Sequence, residues 1–262
     1  MNKALIVGIN KYASPGMNLR GCVNDARDMT EILITHYGFR QENIKVLIDE
    51  YATKQAILKN LKAMVVGAVA GDKLAFFHSG HGSQIRDVNG DEKDRYDEVL
   101  CPHDMNWDKG LYILDDDLYE IFKLLPEGVT MTTFFDSCHS GTMTKEAPGK
   151  DLAKFIYPPT FSLAFQKKAK VHRIGQKAAS NPNVISLSGC TSKQYSMESN
   201  INGTYRGAFT YYLTESMREL GADTPKKKLT AKLRNSLKAN KYSQKPQLEC
   251  VGKVKKTPFF AE

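Results

Sequence analysis

The sequence predicts an α/β fold in which a mainly parallel sheet is covered by helices on both faces. Short runs of branched and aromatic apolar residues alternate along the chain with longer segments whose apolar residues recur at helical spacing. This alternation is typical of strand–helix–strand units, which bury a parallel sheet between layers of helices. The chain has 262 residues and is 41% hydrophobic, which fits a single globular domain.

Each predicted strand is a short apolar run bounded by polar residues or glycine. The main strands, in chain order, are Lys3–Ile9, Ile44–Ile48, Lys73–Phe77, Val129–Phe135 and Asn183–Leu187. A further short strand at Glu98–Cys101 brings the expected total to about six. In parallel sheets the ligand crevice lies beyond the carboxyl ends of the strands, so residues there are the first candidates for function.

The predicted helices lie between these strands and carry their own start and stop signals. They are Asn24–Tyr37, a helix capped by Thr53, Asp115–Leu125, Ala208–Leu220 and Leu229–Asn240. Gly38 and Gly221 follow two of them, as is common at helix C-termini. The segment Met143–Pro182 shows little periodic pattern, so we expect a long connection there.

Composition excludes several classes of protein. No apolar run approaches the ~20 residues that span a bilayer, so no membrane partner is expected. The N-terminus has no long apolar signal-peptide core, which predicts a cytoplasmic protein. The cysteines form neither a CxxC pair nor a disulfide framework, which indicates free thiols in a reducing compartment. They are Cys22, Cys101, Cys138, Cys190 and Cys250.

Basic residues are concentrated near the C-terminus. Between Lys226 and Lys256 the excess of positive charge is +10, whereas the whole chain carries +8. Such a basic end is suited to nucleic acid or an acidic protein partner. A solvated, lysine-rich surface is the alternative interpretation.

One histidine and one cysteine stand where chemistry is expected. His81, flanked by Gly80 and Gly82, follows the third predicted strand, and Cys138 follows the fourth. If these strands are neighbours, both side chains reach the same edge of the sheet, where an imidazole favours formation of a nucleophilic thiolate. Backbone N–H groups around His81 and Cys138 are suited to hold an oxyanion. The polar residues beside Cys138 predict that it lies at a cleft mouth rather than in apolar surroundings. Taken singly, each has a plainer interpretation, as a hydrogen-bonded loop histidine or a small buried cysteine.

Together the two segments resemble the caspase-like cysteine peptidases (peptidase family C14), and within them the metacaspases and their bacterial relatives. The matching segments are HSGHGSQ at His78–Gln84, DSCHSG at Asp136–Gly141, LRGCVNDA at Leu19–Ala26, DEVLCPHD at Asp97–Asp104 and GAFTYYL at Gly207–Leu213. The resemblance covers roughly residues 3–220. It implies a caspase-like three-layer α/β/α sandwich. Residues 1–142 would correspond to the large subunit, 143–182 to a linker, and 183–262 to the small subunit with the basic end.

The resemblance also implies roles for individual residues. Cys138 would be the nucleophile, and His81, rather than His78 or His139, the general base. The pocket for the residue before the cut would be lined by Cys22, Asp25, Ser79 and Asp136. Two carboxylates in that pocket select Arg or Lys by charge and hydrogen bonding, so protein or peptide substrates would be cut after a basic residue. True caspases, by contrast, cut after Asp.

Plainer interpretations remain for the acidic pocket and for the activity. Asp25 is also placed to favour the dipole at a helix N-terminus, and Asp136 to stabilise a turn. Caspase-like folds also occur as inactive binding or scaffold proteins. The presence of both His81 and Cys138 argues against that alternative.

Calcium is the only metal that the resemblance suggests, and the sequence leaves it open. Asp97, Asp115 and Asp116 resemble the calcium ligands of many metacaspases, and hard oxygen ligands favour Ca²⁺. A further acidic ligand after the cysteine is not clear, because Lys145 stands near that place with Glu146 beside it. The segment 87–91 resembles part of an EF-hand, but its glycine is misplaced, so we reject an EF-hand. The His and Cys spacings match no zinc pattern, and the chemistry itself needs no cofactor.

Self-cleavage and oligomeric state also follow from the resemblance. Family members often cleave themselves in the segment that follows the nucleophile. Here the segment Lys145–Lys177 is rich in basic residues. We therefore predict self-cleavage within that segment. Because metacaspases generally do not pair through a sheet edge as caspases do, a monomer is expected.

Overall fold

A computed structural model describes residues 1–86, 96–138, 151–158, 174–191 and 194–261. Its strands are β1 (Asn2–Gly8), β2 (Ile44–Ile48), β3 (Lys73–Ser79), β4 (Gly82–Arg86), β5 (Tyr96–Leu100), β6 (Ile113–Leu114), β7 (Thr130–Asp136), β8 (Leu152–Ala153), β9 (Val184–Ser188), β10 (Met197–Ile201), β11 (Thr204–Gly207) and β12 (Gln247–Glu249). Six of them form a central sheet in the order β12-β9-β7-β3-β1-β2. Within it only β12 runs antiparallel to its neighbour, so the predicted mainly parallel sheet is confirmed.

Helices cover both faces of this sheet. They are α1 (Cys22–Tyr37), α2 (Lys54–Val66), α3 (Asp115–Phe122), α4 (Ile174–Ala178), α5 (Ala208–Leu220) and α6 (Lys226–Ala239). Apolar residues of α1, α5 and α6 form one core with one face of the sheet, and those of α2, α3 and α4 form a second core on the other. As predicted, the Thr53 hydroxyl caps α2 by accepting from the Ala56 N–H at 3.2 Å. The three layers expected of the α/β fold are therefore present.

Two expectations about the elements need correction. The strand predicted at Glu98–Cys101 exists as β5, but it lies in a small antiparallel sheet with β4 and β6. The sixth strand of the central sheet is instead β12. The segment Met143–Pro182, expected to be an irregular connection, contains β8 and α4 in its described parts. Elements of two to five residues are too short for a periodic pattern and depend on their tertiary partners.

The carboxyl ends of β1, β3 and β7 lie side by side. Gly8 pairs with Ser79, and Ser79 pairs with Asp136. A side chain at Gly8 would overlap with the Cys22 carbonyl at the start of α1. This glycine therefore lets α1 approach the sheet closely, which brings Asp25 in its first turn to the same edge.

The basic C-terminal end is folded, and not all of its lysines are solvated. Lys227 and Lys228 are exposed, whereas Lys226 is buried. The Lys226 ammonium donates to the backbone carbonyls of Thr257 and Pro258, and burial lowers its pKa to about 8. At least this lysine has a structural role. Among the described residues, no helix is both long enough and apolar enough to span a bilayer.

Candidate active site

His81 and Cys138 reach the same edge of the sheet because β3 and β7 are neighbours. These strands pair in parallel, with Ser79 opposite Asp136. Each candidate residue follows its strand by two positions. The placement expected from the strand ends is therefore found.

The imidazole of His81 is held by the segment between β1 and α1. Its ring lies 5.1 Å from the Tyr12 ring, and its backbone N–H donates to the Tyr12 hydroxyl at 2.8 Å. Its Nε2 lies 2.8 Å from the Met17 carbonyl oxygen. Because a carbonyl can only accept, Nε2 carries the hydrogen and Nδ1 carries the basic lone pair. That Nδ1 atom makes no hydrogen bond among the described residues.

Burial keeps the His81 ring neutral. It lowers the pKa of His81 to about 4, and the nearby Lys154 ammonium acts in the same direction. The carbonyl groups of Met17 and Lys154 oppose this effect because they stabilise the protonated ring. At neutral pH the ring is therefore able to accept a proton.

Cys138 is fully buried, which corrects the expectation that it lies open at a cleft mouth. Its neighbours are Phe155, Cys190 and Tyr195, which form a small apolar cluster with it. Phe155 belongs to the segment 151–158, which folds back over Cys138. The sequence indicated polar surroundings because the residues next to Cys138 in the chain are polar. The residues that cover it are not its neighbours in the chain.

The thiol of Cys138 is bonded to the backbone of Ser196 rather than to His81. Its Sγ accepts from the Ser196 N–H at 2.7 Å and lies 3.3 Å from the Ser196 carbonyl oxygen, to which it donates. In the described part of the chain, no hydrogen bond joins Cys138 to His81. Direct attack on a substrate therefore requires the thiol to leave Ser196.

The predicted pocket residues surround a single buried ammonium group, that of Lys154. Its Nζ lies 2.9 Å from the Asp25 carboxylate, 3.0 Å from the Asp136 carboxylate and 2.9 Å from the Ser79 hydroxyl. The side chains of Lys154, Asp25 and Asp136 have no solvent exposure. Burial disfavours the ammonium, but Asp136 and Asp25 outweigh it and raise the pKa of Lys154. Lys154 is thus charged inside the protein.

Cys22 completes the predicted pocket. Its thiol interacts with the Ser79 hydroxyl, and burial raises its pKa. A neutral thiol at this position adds no charge to the site. All residues that were predicted for the pocket are therefore brought together.

Hydrogen bonds from four other residues hold the two carboxylates in place. Asp25 accepts from the Ser79 hydroxyl at 2.7 Å and from the Gly207 N–H at 2.8 Å. Asp136 accepts from the hydroxyls of Ser196 and Thr210, each at 2.6 Å. Burial raises the pKa of Asp25 to about 6, while Lys154 lowers it and Asp136 adds to the rise. The plainer roles of Asp25 and Asp136, as helix or turn residues, do not account for these contacts.

The backbone of Lys154 is bound as well as its side chain. Its carbonyl oxygen accepts from the N–H groups of Gly82 at 3.0 Å and Cys138 at 3.1 Å. Its own N–H donates to the Ser196 carbonyl at 3.0 Å. The N–H groups of Gly82 and Cys138 are the backbone groups that were expected to hold an oxyanion.

Comparison with known proteins identifies the family. Residues 2–147, more than half of the chain, match the metacaspase peptidase C14 domain. The chain belongs to the metacaspases. Metacaspase-1 of Scheffersomyces stipitis is 32% identical, over 95% of this chain and 70% of its own length. Metacaspase-1 of Schizosaccharomyces pombe is 34% identical, over 95% of this chain and 67% of its own. Membership makes this metacaspase a cysteine-type endopeptidase, in preference to an inactive scaffold.

Solved structures show that the fold is also caspase-like. A protein from Geobacter sulfurreducens superposes with a TM-score of 0.72 at 24% identity, over 99% of this chain and 98% of its own. Caspase-1 from Spodoptera frugiperda superposes with a TM-score of 0.63 at 15% identity, over 95% of this chain and 88% of its own. At these identities the likeness concerns the fold alone. It confirms the caspase-like sandwich that the sequence resemblance implied.

The candidate calcium ligands of the metacaspase lie together at a second site. Carboxylate oxygens of Asp97, Asp115 and Asp116 all lie within 4.8 Å of one another. The Lys177 ammonium of α4 lies 2.5 Å from Asp116 and 3.9 Å from Asp115. Three hard oxygen donors, two of which already lie beside a cation, fit Ca²⁺ in ligand type and charge. The segment 87–91, Lys145 and Glu146 lie outside the described residues.

Several residues of the site were not singled out in the sequence. Ser196 and Thr210 orient Asp136, Tyr12 contacts His81, and Gly207 lies against both carboxylates. A side chain at Gly207 would overlap with Asp136 and Lys154. The segment GAFTYYL signalled Gly207 and Thr210 as part of the resemblance, but nothing in the sequence signalled Ser196 or Tyr12.

Proposed function

We propose that this metacaspase cleaves proteins and peptides after Arg or Lys, with Cys138 as nucleophile and His81 as proton carrier. The observation that supports the proposal is the Lys154 ammonium between Asp25 and Asp136. A pocket that buries a charged lysine side chain with two carboxylates suits a basic substrate residue and repels an acidic one. A substrate with Asp before the cut, which true caspases prefer, would place a third carboxylate beside those of Asp25 and Asp136.

The residues of the site can carry out acyl transfer without a cofactor. The pocket carboxylates hold the basic side chain, and the N–H groups of Gly82 and Cys138 hold the carbonyl oxygen of the bond to be cut. These donors stabilise the negative charge that develops on this oxygen when the thiolate attacks. The neutral His81 accepts the thiol proton at Nδ1 and returns it to the leaving amine.

Covalent trapping tests the assignment of pocket and nucleophile together. A peptidyl chloromethyl ketone that ends in Arg should alkylate the wild-type protein once, with loss of chloride, and peptide mapping should locate the thioether at Cys138. The matched reagent that ends in Asp should label far more slowly, and Cys138→Ala should not be labelled. Labelling at the neighbouring Cys190, or equal labelling by the Asp reagent, contradicts the proposal.

We also propose that calcium activates the enzyme through Asp97, Asp115 and Asp116. The ion would supply positive charge among these carboxylates, and the Lys177 ammonium would have to move aside. Calcium binding measured by isothermal titration calorimetry tests this. Wild-type protein should bind one ion per chain, and Asp116→Asn should bind it more weakly. Equal binding by the two proteins contradicts this site.

A nucleic-acid role for the basic end is a second candidate. It is supported by the exposed lysines of α6, among them Lys227 and Lys228. Binding to DNA or RNA should weaken steeply with added salt and should weaken further when both lysines are changed to Gln. Binding that is insensitive to both changes contradicts this role.

We propose that the enzyme acts as a monomer. The outermost strand at one edge of the central sheet, β12, has only three residues. Very short edge strands offer few backbone groups to a second sheet, which disfavours pairing of copies through that edge. Light scattering at several protein concentrations should give the mass of one chain, and a stable dimer contradicts this expectation.

A further inference from the structure

We propose that the segment Leu152–Ile156 is the first substrate and the resting inhibitor of this enzyme, and that the bond between Lys154 and Phe155 is the one that the enzyme cuts in itself. This inference rests on the proposed function and adds to it the identity of the bond that the enzyme cuts in itself. The sequence indicated only that self-cleavage occurs somewhere in the segment Lys145–Lys177. The structure narrows that range because it places one lysine in the pocket.

The segment lies across the site as an extended peptide substrate does. Before the proposed bond, β8 pairs antiparallel with β10, with Ala153 opposite Met197. After the bond, Phe155 forms a parallel bridge with Gly82, whose carbonyl accepts from the Ile156 N–H at 3.1 Å. Backbone pairing on both sides of Lys154 fixes the register of the segment in the cleft. A one-residue shift would remove Lys154 from the pocket and reverse the faces of its neighbours.

Lys154 occupies two parts of the site at once, the acidic pocket with its side chain and the oxyanion donors with its carbonyl. Its ammonium is bound by Asp25 and Asp136, and its carbonyl by the N–H groups of Gly82 and Cys138. A lysine that merely neutralised the buried carboxylates would have no need to place its carbonyl at the nucleophile. The combination is what a peptidase requires of the residue before the cut.

The residue after the bond is also held. Phe155 is 8% exposed and belongs to the same apolar cluster as Cys138, Cys190 and Tyr195. Its centroid lies 6.2 Å from that of the Tyr195 ring. This contact covers the thiol and excludes both water and other substrates while the bond is whole.

Cleavage begins when the Cys138 thiol leaves Ser196. Its proton passes to Nδ1 of His81, and Sγ forms a bond with the Lys154 carbonyl carbon. The oxygen becomes an oxyanion held by the two N–H groups. The carbon–nitrogen bond to Phe155 then breaks, and the Phe155 amine takes the proton from His81. Water hydrolyses the thioester, which regenerates the thiol and gives a carboxylate at Lys154 and a new amino terminus at Phe155.

The described arrangement is the inhibited state before this step. The pocket is filled by Lys154, Phe155 covers Cys138, and the thiol is bonded to Ser196. An added substrate with Arg cannot enter until the segment is cut or displaced. We therefore expect peptide hydrolysis to begin only after a lag that follows the appearance of the new amino terminus.

Mass spectrometry and amino-terminal sequencing of the purified full chain, incubated with and without calcium, test the bond. Wild type and Lys154→Arg should acquire a new amino terminus at Phe155, because both keep a cation in the pocket. Lys154→Gln and Cys138→Ala should remain whole at this bond. Lys123→Gln, a change of an exposed lysine, should be cut like wild type. The rate constant should be unchanged on dilution, because the segment already lies in the site of its own chain.

Binding tests the inhibitory role separately. In the Cys138→Ala background, a fluorescent peptide that ends in Arg should bind about tenfold more tightly or better when Lys154→Gln is added, because the occupied pocket reduces the apparent affinity. Lys154→Arg in the same background should not show this gain. Equal binding by all three proteins overturns the inhibitory role.

Activity on added peptides separates this inference from the proposed function. A wild-type enzyme that hydrolyses Arg peptides while the bond between Lys154 and Phe155 stays whole, or that is cut only elsewhere, overturns the inference and leaves the proposed function in place. Cleavage at this bond in the Cys138→Ala protein, without added peptidase, overturns both.

Discussion

The carbonyl oxygen of Lys154 lies 3.1 Å from the backbone nitrogen of Cys138, whose N–H donates to it. The same lysine places its ammonium between Asp25 and Asp136. Two separate parts of a peptidase site, the acidic pocket and the oxyanion donors, thus contact one residue of the chain. The basic specificity, self-cleavage and inhibition that we propose for this metacaspase all rest on that arrangement.

Loss of one pocket carboxylate should weaken the recognition of basic residues. Removing one partner of a buried ion pair costs ~3 kcal/mol, so Asp136→Asn should lower kcat/KM for Arg peptides by about 100-fold. Peptides with Gln in place of Arg should be much less affected. Asp108→Asn, a change of an exposed carboxylate, is the matched control and should leave both rates unchanged. If the ratio of kcat/KM for the Arg and Gln peptides is the same in Asp136→Asn as in wild type, Asp136 does not recognise the positive charge of the substrate.

Filling the space at Gly207 should block the pocket. An added methyl group would overlap with the Asp136 carboxylate and the Lys154 ammonium, both of which are confined by their hydrogen bonds. We expect Gly207→Ala to lose most of its hydrolysis of Arg peptides and its self-cleavage. Gly252→Ala, at a position with open space around it, should behave as wild type. Steady-state kinetics and mass spectrometry provide the measurements, and full activity of Gly207→Ala would contradict the pocket geometry.

Acid should destabilise the enzyme through His81. The folded-state pKa of His81, about 4, lies below its ordinary value of 6.5, so the unfolded chain binds more protons as pH falls. The stability that depends on neutral His81 is complete above pH 6.5 and is lost as pH falls from there towards 4. Between about pH 7 and about pH 5 this loss should amount to ~2 kcal/mol.

The measurement compares the free energy of unfolding of Cys138→Ala with that of Cys138→Ala/His81→Gln at both pH values. The first protein should lose more stability on acidification, whereas Asp25, with its pKa raised to about 6, acts with the opposite sign in both. Equal pH dependence in the two proteins would mean that His81 is not buried in its neutral form.

Removal of Lys177 should strengthen calcium binding. Its ammonium neutralises Asp116 and approaches Asp115, so an ion must displace it. We expect Lys177→Met to bind calcium about tenfold more tightly, which corresponds to ~1.4 kcal/mol. Lys123→Met, a matched change of the lysine that follows α3 and pairs with Glu120, should leave calcium affinity unchanged. Titration calorimetry measures both, and equal or weaker binding by Lys177→Met is the contrary outcome.

The sequence predicted the parts of the fold and site that depend on local pattern. Apolar runs predicted β1, β2, β3, β7 and β9, because parallel strands in a sheet covered by helices on both faces are rich in apolar residues. His81 and Cys138 were placed correctly at one edge because each follows a strand end. The resemblance added Asp25 and Asp136, which the structure brings together around Lys154.

The rest depends on contacts between residues distant in the chain. Lys154 lies 129 positions from Asp25, and nothing local distinguishes it from the other basic residues of its segment. The strand β8 has two residues and exists because β10 pairs with it. For the same reason the burial of Cys138 could not be anticipated, because Phe155 and Tyr195, which cover it, come from other elements.

Hydrolysis of matched peptides that differ only in the residue before the cut tests the central claim most directly. Wild-type enzyme, with its own bond after Lys154 already cut, should hydrolyse the Arg and Lys peptides far faster than the Asp peptide, and Cys138→Ala should hydrolyse none. Cleavage after Asp at a rate equal to or above that after Arg would contradict the acidic pocket formed by Asp25 and Asp136.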